Sequence, residues 1–96
     1  MKDYVVSKQL TISTDDFFRL APLAMEGLNF KIGEAAVYAR IGDRQLKITT
    51  EKMENRKIGS LNLPQLKIDF RFNGWGKSER EEFMFRFDRV YQRGGG

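Results

Sequence analysis

Between residues 66 and 73, apolar and polar side chains alternate without exception. The apolar members are Leu66, Ile68, Phe70 and Phe72, and the polar members are Lys67, Asp69, Arg71 and Asn73. Successive side chains of a β-strand point to opposite sides of the sheet, so this pattern predicts a strand with one apolar and one polar side. Such a strand is typical of an antiparallel sheet that is solvated on one face and covered on the other.

Three segments that precede this strand show the same two-residue period. Apolar residues recur at every second position over residues 28–32, 35–41 and 44–49. The last two segments are separated by Gly42 and Asp43, a pair of residues typical of a tight hairpin turn. These segments predict further strands of the same sheet, and two of them are expected to form a hairpin.

The other extended segments carry weaker patterns. Residues 4–12 mix β-branched and polar side chains, which predicts a strand at the edge of the sheet. Residues 51–57 are polar and favour a loop or the frayed end of strands. A short strand is expected over residues 58–63, with a bulge at Gly59, and Pro64 and Gln65 are expected to turn the chain.

A first helix is predicted to begin after the first strand. Residues 13–16 read Ser-Thr-Asp-Asp, where a hydroxyl can cap free amides and the carboxylates favour the positive end of the helix dipole. Gly27 is expected to end the helix. Pro22 cannot donate a backbone hydrogen bond, so we expect either a kinked helix or two short turns that meet near residues 19–22. The apolar face of this segment comprises Phe17, Leu20, Ala21, Ala24 and Met25.

A second helix is predicted over the C-terminal segment. Residues 78–81 have the spacing of a capping box, acidic residues follow at the start, and arginines are concentrated near the end. Phe83, Phe85 and Phe87 also alternate as they would in a strand, which is the rival interpretation. The cap, the charge gradient and the length favour the helix. Its apolar face would comprise Phe83, Met84, Phe87, Val90 and Tyr91.

These elements together predict an α+β fold. We expect an antiparallel sheet of about five strands with two helices packed on one face, in the order β-α-β-β-β-β-α. The chain has 96 residues, of which 41% are apolar, and this is the size and composition of one globular domain. We expect that domain to span residues 1–93 and to be followed by a flexible glycine tail at residues 94–96.

The chain contains no histidine and no cysteine. Their absence excludes disulfides, thiolate metal sites, imidazole bases and nucleophiles activated by histidine. We therefore expect a protein that is not an enzyme and holds neither a metal nor another cofactor; catalysis by lysine, tyrosine or carboxylate side chains alone is the alternative. No apolar run is long enough for a signal peptide or for the roughly 20 residues of a membrane span, so a cytoplasmic location is expected.

Positive charge is concentrated in the middle third of the chain. The net charge is +4, and residues 40–71 contain eight basic and four acidic residues. The solvated face of the sheet is expected to carry Tyr38, Arg40, Lys47, Lys67 and Arg71. Cations that contact phosphates beside a ring that stacks on a base are typical of single-stranded RNA and DNA binders. An ordinary solvated sheet face is the alternative interpretation, and Asp69 among these cations favours it.

Two aromatic residues are candidates for contact with a protein partner. On the second helix, Phe85 lies opposite the face that contains Phe83 and Phe87, so we expect its ring to be exposed. Trp75 stands between two glycines and either plugs the edge of the core or projects as an anchor for a partner. The sequence therefore favours a non-catalytic binding or assembly module that forms a homodimer through Phe85, Trp75 or an edge strand. Nucleic-acid binding by the basic sheet face is the alternative function.

Overall fold

The fold consists of a five-stranded antiparallel sheet and two helices. A computed structural model describes residues 3–94. The strands are β1 (Asp3–Leu10), β2 (Asn29–Ile32), β3 (Ala36–Ile41), β4 (Arg44–Ile58) and β5 (Leu61–Asn73), and the helices are α1 (Thr14–Ala24) and α2 (Lys77–Gly94). The predicted α+β class and the predicted order of elements are both confirmed.

Across the sheet, the strands lie in the order β1-β5-β4-β3-β2. Strands β2 to β5 follow one another as hairpins, and β1 takes the free position beside β5. β1 is antiparallel to β5, with Val6 opposite Phe70 and Leu10 opposite Leu66. β1 is therefore an edge strand, as its mixed composition predicts, and β5 receives hydrogen bonds from a neighbour on each side.

The core lies between the sheet and both helices. The ring of Phe70 meets that of Phe87 edge to face, with 4.7 Å between their centroids. The ring of Tyr91 stacks on that of Phe17 at 5.0 Å, and its hydroxyl donates a 2.7 Å hydrogen bond to the Phe17 carbonyl. Burial raises the pKa of the Tyr91 phenol. These contacts join α1 to α2 and pack α2 on the apolar side of β5, within one core cluster that contains residues of both helices and of the sheet.

Helix α1 has the predicted start and the predicted apolar face. The hydroxyl of Ser13 accepts a hydrogen bond from the Asp16 amide at 3.1 Å. A single helix passes through Pro22, so the alternative of two short turns is wrong. The residues expected on the apolar face are all buried, namely Phe17, Leu20, Ala21, Ala24 and Met25.

Helix α2 begins earlier than the predicted capping box. Gly76, rather than Ser78, occupies the N-cap position, since its carbonyl accepts a 3.0 Å hydrogen bond from the Arg80 amide. The Glu79 carboxylate accepts a 2.7 Å hydrogen bond from the Gly76 amide, so the acidic half of a capping box is present in a shifted frame. Residues 83–91 are helical, and the rival strand interpretation is wrong.

Strands β4 and β5 form a longer hairpin than the sequence predicts. Residues 51–57 belong to β4 rather than to a loop, because β5 supplies hydrogen-bonding partners for a backbone whose side chains are polar on both faces. Gly59 is not a bulge: with a φ of 59° it forms the turn together with Ser60. Every residue from 51 to 62 is exposed, and this part of the hairpin extends away from the core.

Pro64 and Gln65 lie within β5, so the turn expected there is wrong. The register between β4 and β5 shifts between Met53 and Arg56, and Pro64 lies opposite this irregularity. A proline has no amide hydrogen, so it fits where the ladder of hydrogen bonds is already interrupted. The expected glycine tail begins at Gly94, which is part of α2, and residues 95 and 96 lie outside the described residues.

Two phenylalanines on α2 provide a direct test of its orientation. Phe87 is fully buried, whereas Phe85 is 63% exposed. We expect Phe87→Ala to lower the free energy of unfolding by about 3–5 kcal/mol, because it leaves a cavity against Phe70. Phe85→Ala should change it by less than about 0.5 kcal/mol. Urea unfolding at low protein concentration, followed by circular dichroism, measures both values, and equal losses would contradict this orientation.

Candidate binding surfaces

The side of the sheet that faces away from the helices, here called the outer face, carries a row of basic residues. Lys31 on β2 lies opposite Tyr38 on β3, Tyr38 lies opposite Lys47 on β4, and Lys47 lies opposite Arg71 on β5. We call these four residues the basic row. Because each neighbouring pair is in direct register, four strands contribute one side chain each to a continuous line across the sheet.

A second row of polar residues lies beside the basic row. It comprises Asn29, Arg40, Gln45 and Asn73, which are also opposite one another on β2 to β5. Both rows line an open cavity of about 620 Å³. Asp3 is the one acidic residue among those that line it. The outer face therefore offers an accessible site with a strong excess of positive charge.

Asp3 is held by its neighbours at the end of this cavity. Its carboxylate accepts a 2.6 Å hydrogen bond from the Asn73 amide and a 3.2 Å hydrogen bond from the Arg71 guanidinium. These two hydrogen bonds lower the pKa of Asp3, with that from Asn73 contributing most. Lys31, Arg40 and Lys47 form no salt bridge with any residue in the described range 3–94. Three cations of the site are thus free to meet an anion.

Tyr38 supplies the aromatic surface of the site. Its side chain is 48% exposed on the outer face, and the Lys47 ammonium lies 5.6 Å from the ring centroid. The ring is therefore open to a planar ligand, and a cation that can contact an attached anionic group lies next to it.

The structure brings together four of the five residues predicted for this face. Lys67 is separate: it lies opposite Glu51 and Gln9, two rows away from Lys47 and Arg71. Asp69 occupies the row between them, where its carboxylate accepts a 2.6 Å hydrogen bond from the Ser7 hydroxyl. Lys67 therefore lies outside the basic cavity.

Lys31 is the cation that the sequence analysis missed. Lys31 occupies a polar position in the alternation over residues 28–32. This pattern predicts that its side chain points to the outer face, so the sequence did indicate its location. Lys31 lies outside residues 40–71, where the positive charge of the chain is concentrated. Its pairing with Tyr38 depends on the register of β2, which the alternation by itself does not define.

Trp75 packs against the end of the core. Its indole ring lies 5.1 Å from the ring of Phe72 and 5.8 Å from that of Phe83, measured between centroids. The indole N–H donates a 2.8 Å hydrogen bond to the Gln45 carbonyl, and the Arg44 guanidinium lies 5.2 Å from the ring. The ring is partly buried and joins the start of β4 to the start of α2. These contacts account for Trp75 as a structural plug.

Phe85, in contrast, borders a second open surface. A cavity of about 390 Å³ lies between β1 and α2 and is lined in part by Tyr4, Val6, Met84 and Phe85. We call it the edge groove, because β1 is the outermost strand on this side of the sheet. Tyr4 and Phe85 are exposed, and the Arg89 guanidinium lies 5.8 Å from the ring of Phe85.

Comparisons with known proteins add no functional information. No family model, curated protein or solved structure matches this chain. Within residues 3–94, no three or more acidic side chains cluster as ligands for a metal ion. Neither helix of the described chain has the length and apolar character needed to cross a membrane.

The hydrogen bonds of Asp3 lead to a testable pKa. We expect Asn73→Ala to raise the pKa of Asp3 towards its ordinary value, because the strongest hydrogen bond to the ionised carboxylate is removed. In the native protein the lowered pKa stabilises the fold above the ordinary pKa of aspartate, and this contribution is lost as the pH falls through the lowered value. An NMR titration of the Asp3 carboxyl carbon measures the shift, and an unchanged pKa in the variant would contradict the assignment.

Proposed function

We propose that this chain is a non-catalytic binding module that holds single-stranded nucleic acid on the outer face of its sheet. The observation that carries the proposal is the basic row, in which three cations and an exposed tyrosine are aligned across four strands. Lysine and arginine contact phosphates, and an exposed aromatic ring stacks on an unpaired base.

The dimensions of the site favour a single strand over a duplex. Neighbouring strands are about 4.8 Å apart, so the row from Lys31 to Arg71 spans about 14 Å and can follow a short stretch of backbone. At the basic row the sheet surface is open and presents no helix or ribbon that would enter a groove of duplex DNA. The exposed end of the β4–β5 hairpin lies at the far end of these strands from the row. The ring of Tyr38 can stack only on a base that is not already stacked within a duplex.

The second row supplies hydrogen-bonding groups beside the phosphate contacts. Asn29 and Gln45 are exposed amides that can each donate and accept hydrogen bonds at the edge of a base. Arg40 lies between them in the row and can contact either a phosphate or a base. The arrangement therefore places charge, a stacking surface and polar groups within one cavity.

The same cavity offers little for catalysis. Its one carboxylate, Asp3, is engaged by Arg71 and Asn73, so the cavity has no second carboxylate with which it could form an acid–base pair. The cations and amides around it can bind and orient a ligand through charge and hydrogen bonds. We therefore propose binding alone as the function of this surface.

Fluorescence anisotropy with labelled RNA and DNA strands of about 12 nucleotides tests the proposal. We expect binding at low salt, with a slope of about −2 to −3 for log K against log salt, because three or four phosphates are contacted. A duplex of the same sequence should bind more weakly than either single strand. Absence of binding at low salt, or stronger binding of the duplex, would contradict the proposal.

Matched variants locate the site. The double variant Arg40→Glu/Lys47→Glu should weaken binding at least about tenfold, and Tyr38→Ala should weaken it about tenfold without changing the salt slope. The double variant Arg19→Glu/Lys67→Glu gives the same change in net charge and is the matched control. It should have little effect, because Arg19 lies on the helical side of the sheet and Lys67 lies outside the basic cavity. Equal losses in all charge variants, or equal binding of poly-glutamate, would indicate general charge attraction and refute a defined site.

A further inference from the structure

The free edge of β1 is an unprotected strand edge. β1 pairs with β5 over all eight of its residues, without proline and without a shift in register. The opposite edge of the sheet is formed by β2, which has only four residues. Edge strands are usually shortened, bulged or given inward-pointing charges, because their free backbone groups can pair with another strand.

Lys8 is the inward-pointing charge on this edge, and it is neutralised. Its ammonium forms a salt bridge of 2.9 Å with Asp88 on α2. The charge therefore does not stand free at the edge, where it would repel an incoming strand. β1 keeps a long, regular and accessible row of backbone donors and acceptors.

Helix α2 runs alongside this edge in the same direction as β1. The Arg80 guanidinium lies over the ring of Tyr4 at 3.8 Å, and eight residues later Asp88 reaches Lys8. Eight helical residues rise about 12 Å and four strand residues extend about 13 Å, so the two elements advance in step. Met84 is therefore level with Val6, at the middle of the edge groove.

We propose that β1 pairs with β1 of a second copy of this chain, antiparallel about a two-fold axis, so that the two sheets join into one of ten strands. Helix α2 contacts side chains of both β1 and β5, so its axis lies above the space between them. Joining the two β1 strands then places the two α2 helices about 10 Å apart, which is the separation of packed helices.

This agreement in spacing favours a second copy over an unrelated strand. The second copy brings a strand to the free edge and, at the same time, a helix to the open side of the edge groove. Val6 would lie against Val6 of the second copy and Tyr4 against Lys8 of the second copy, and Phe85 would lie along the seam between the helices. One contact with the second copy would thus pair the free backbone groups of β1 and also cover the edge groove.

Charges are also complementary across the proposed axis. With the axis level with Val6 and Met84, Tyr4 lies opposite Lys8 of the second copy, and Arg80 lies near Asp88 of the second copy. Arg80 forms no salt bridge within the described residues. The pairing gives it an anionic partner, and the two-fold symmetry repeats this contact. The interface does not use the basic row, so it is independent of the proposed ligand.

Sedimentation velocity of the full chain from about 1 to about 500 µM tests the inference. We expect a dimer whose dissociation constant rises at least about tenfold in Phe85→Ser. Phe30→Ser is the matched control, because Phe30 is also exposed but lies on the β2 edge, and it should leave the dissociation constant unchanged. A monomer over the whole range, or equal effects of the two variants, would overturn the inference.

Hydrogen exchange of the wild-type chain provides a second measurement that needs no variant. In the proposed dimer, alternate amides of β1 that point away from β5 gain partners. Their exchange should slow as the protein concentration rises, while exchange in β2 should not change. A dimer whose β1 amides show no concentration dependence would also overturn the inference.

Discussion

The packing of β5 against α2 is the interaction on which the rest of the structure depends. Phe70 and Phe72 project from β5 towards α2, and Phe70 meets Phe87 edge to face at the centre of the core. β5 also has a paired neighbour on each side, so its orientation determines that of the whole sheet. Because Leu66, Ile68, Phe70 and Phe72 are buried, Lys67, Asp69, Arg71 and Asn73 must lie on the opposite side of the sheet, since successive side chains of a strand point to opposite sides.

The binding surface proposed for the outer face follows from this burial. The register that places Leu46 opposite Phe72 in the core also places Lys47 opposite Arg71 on the other side of the sheet. The basic row is therefore a consequence of how the core packs, and it involves no mobile loop. Its residues lie on strands whose backbone is held by neighbouring strands, which limits their movement and favours a preorganised site.

The two edges of the sheet differ for a reason that also lies in the topology. Strands β2 to β5 follow one another as hairpins, and β1, which is separated from them by α1, joins the sheet at the outer side of β5. This leaves a strand of eight residues at one edge and a strand of four at the other. In a small domain with a limited core, the proposed pairing of the longer edge would bury further apolar surface at the edge groove.

Local periodicity was sufficient to predict the alternating strands, the hairpin turn at residues 42 and 43, both helical faces and the exposure of Phe85, since each depends on the side chains of one segment. The bulge expected at Gly59 and the turn expected at Pro64 were wrong. Residues 51–57, for which a loop or a strand end was expected, form part of a strand, because a polar segment becomes a strand only when a neighbouring strand pairs with its backbone. The sequence by itself thus determined which elements form and which sides they bury. Only the tertiary structure decided that Lys31 lies opposite Tyr38, that Trp75 packs against the end of the core and that β1 has a free edge. These features depend on register and strand order, which are set by contacts between distant segments.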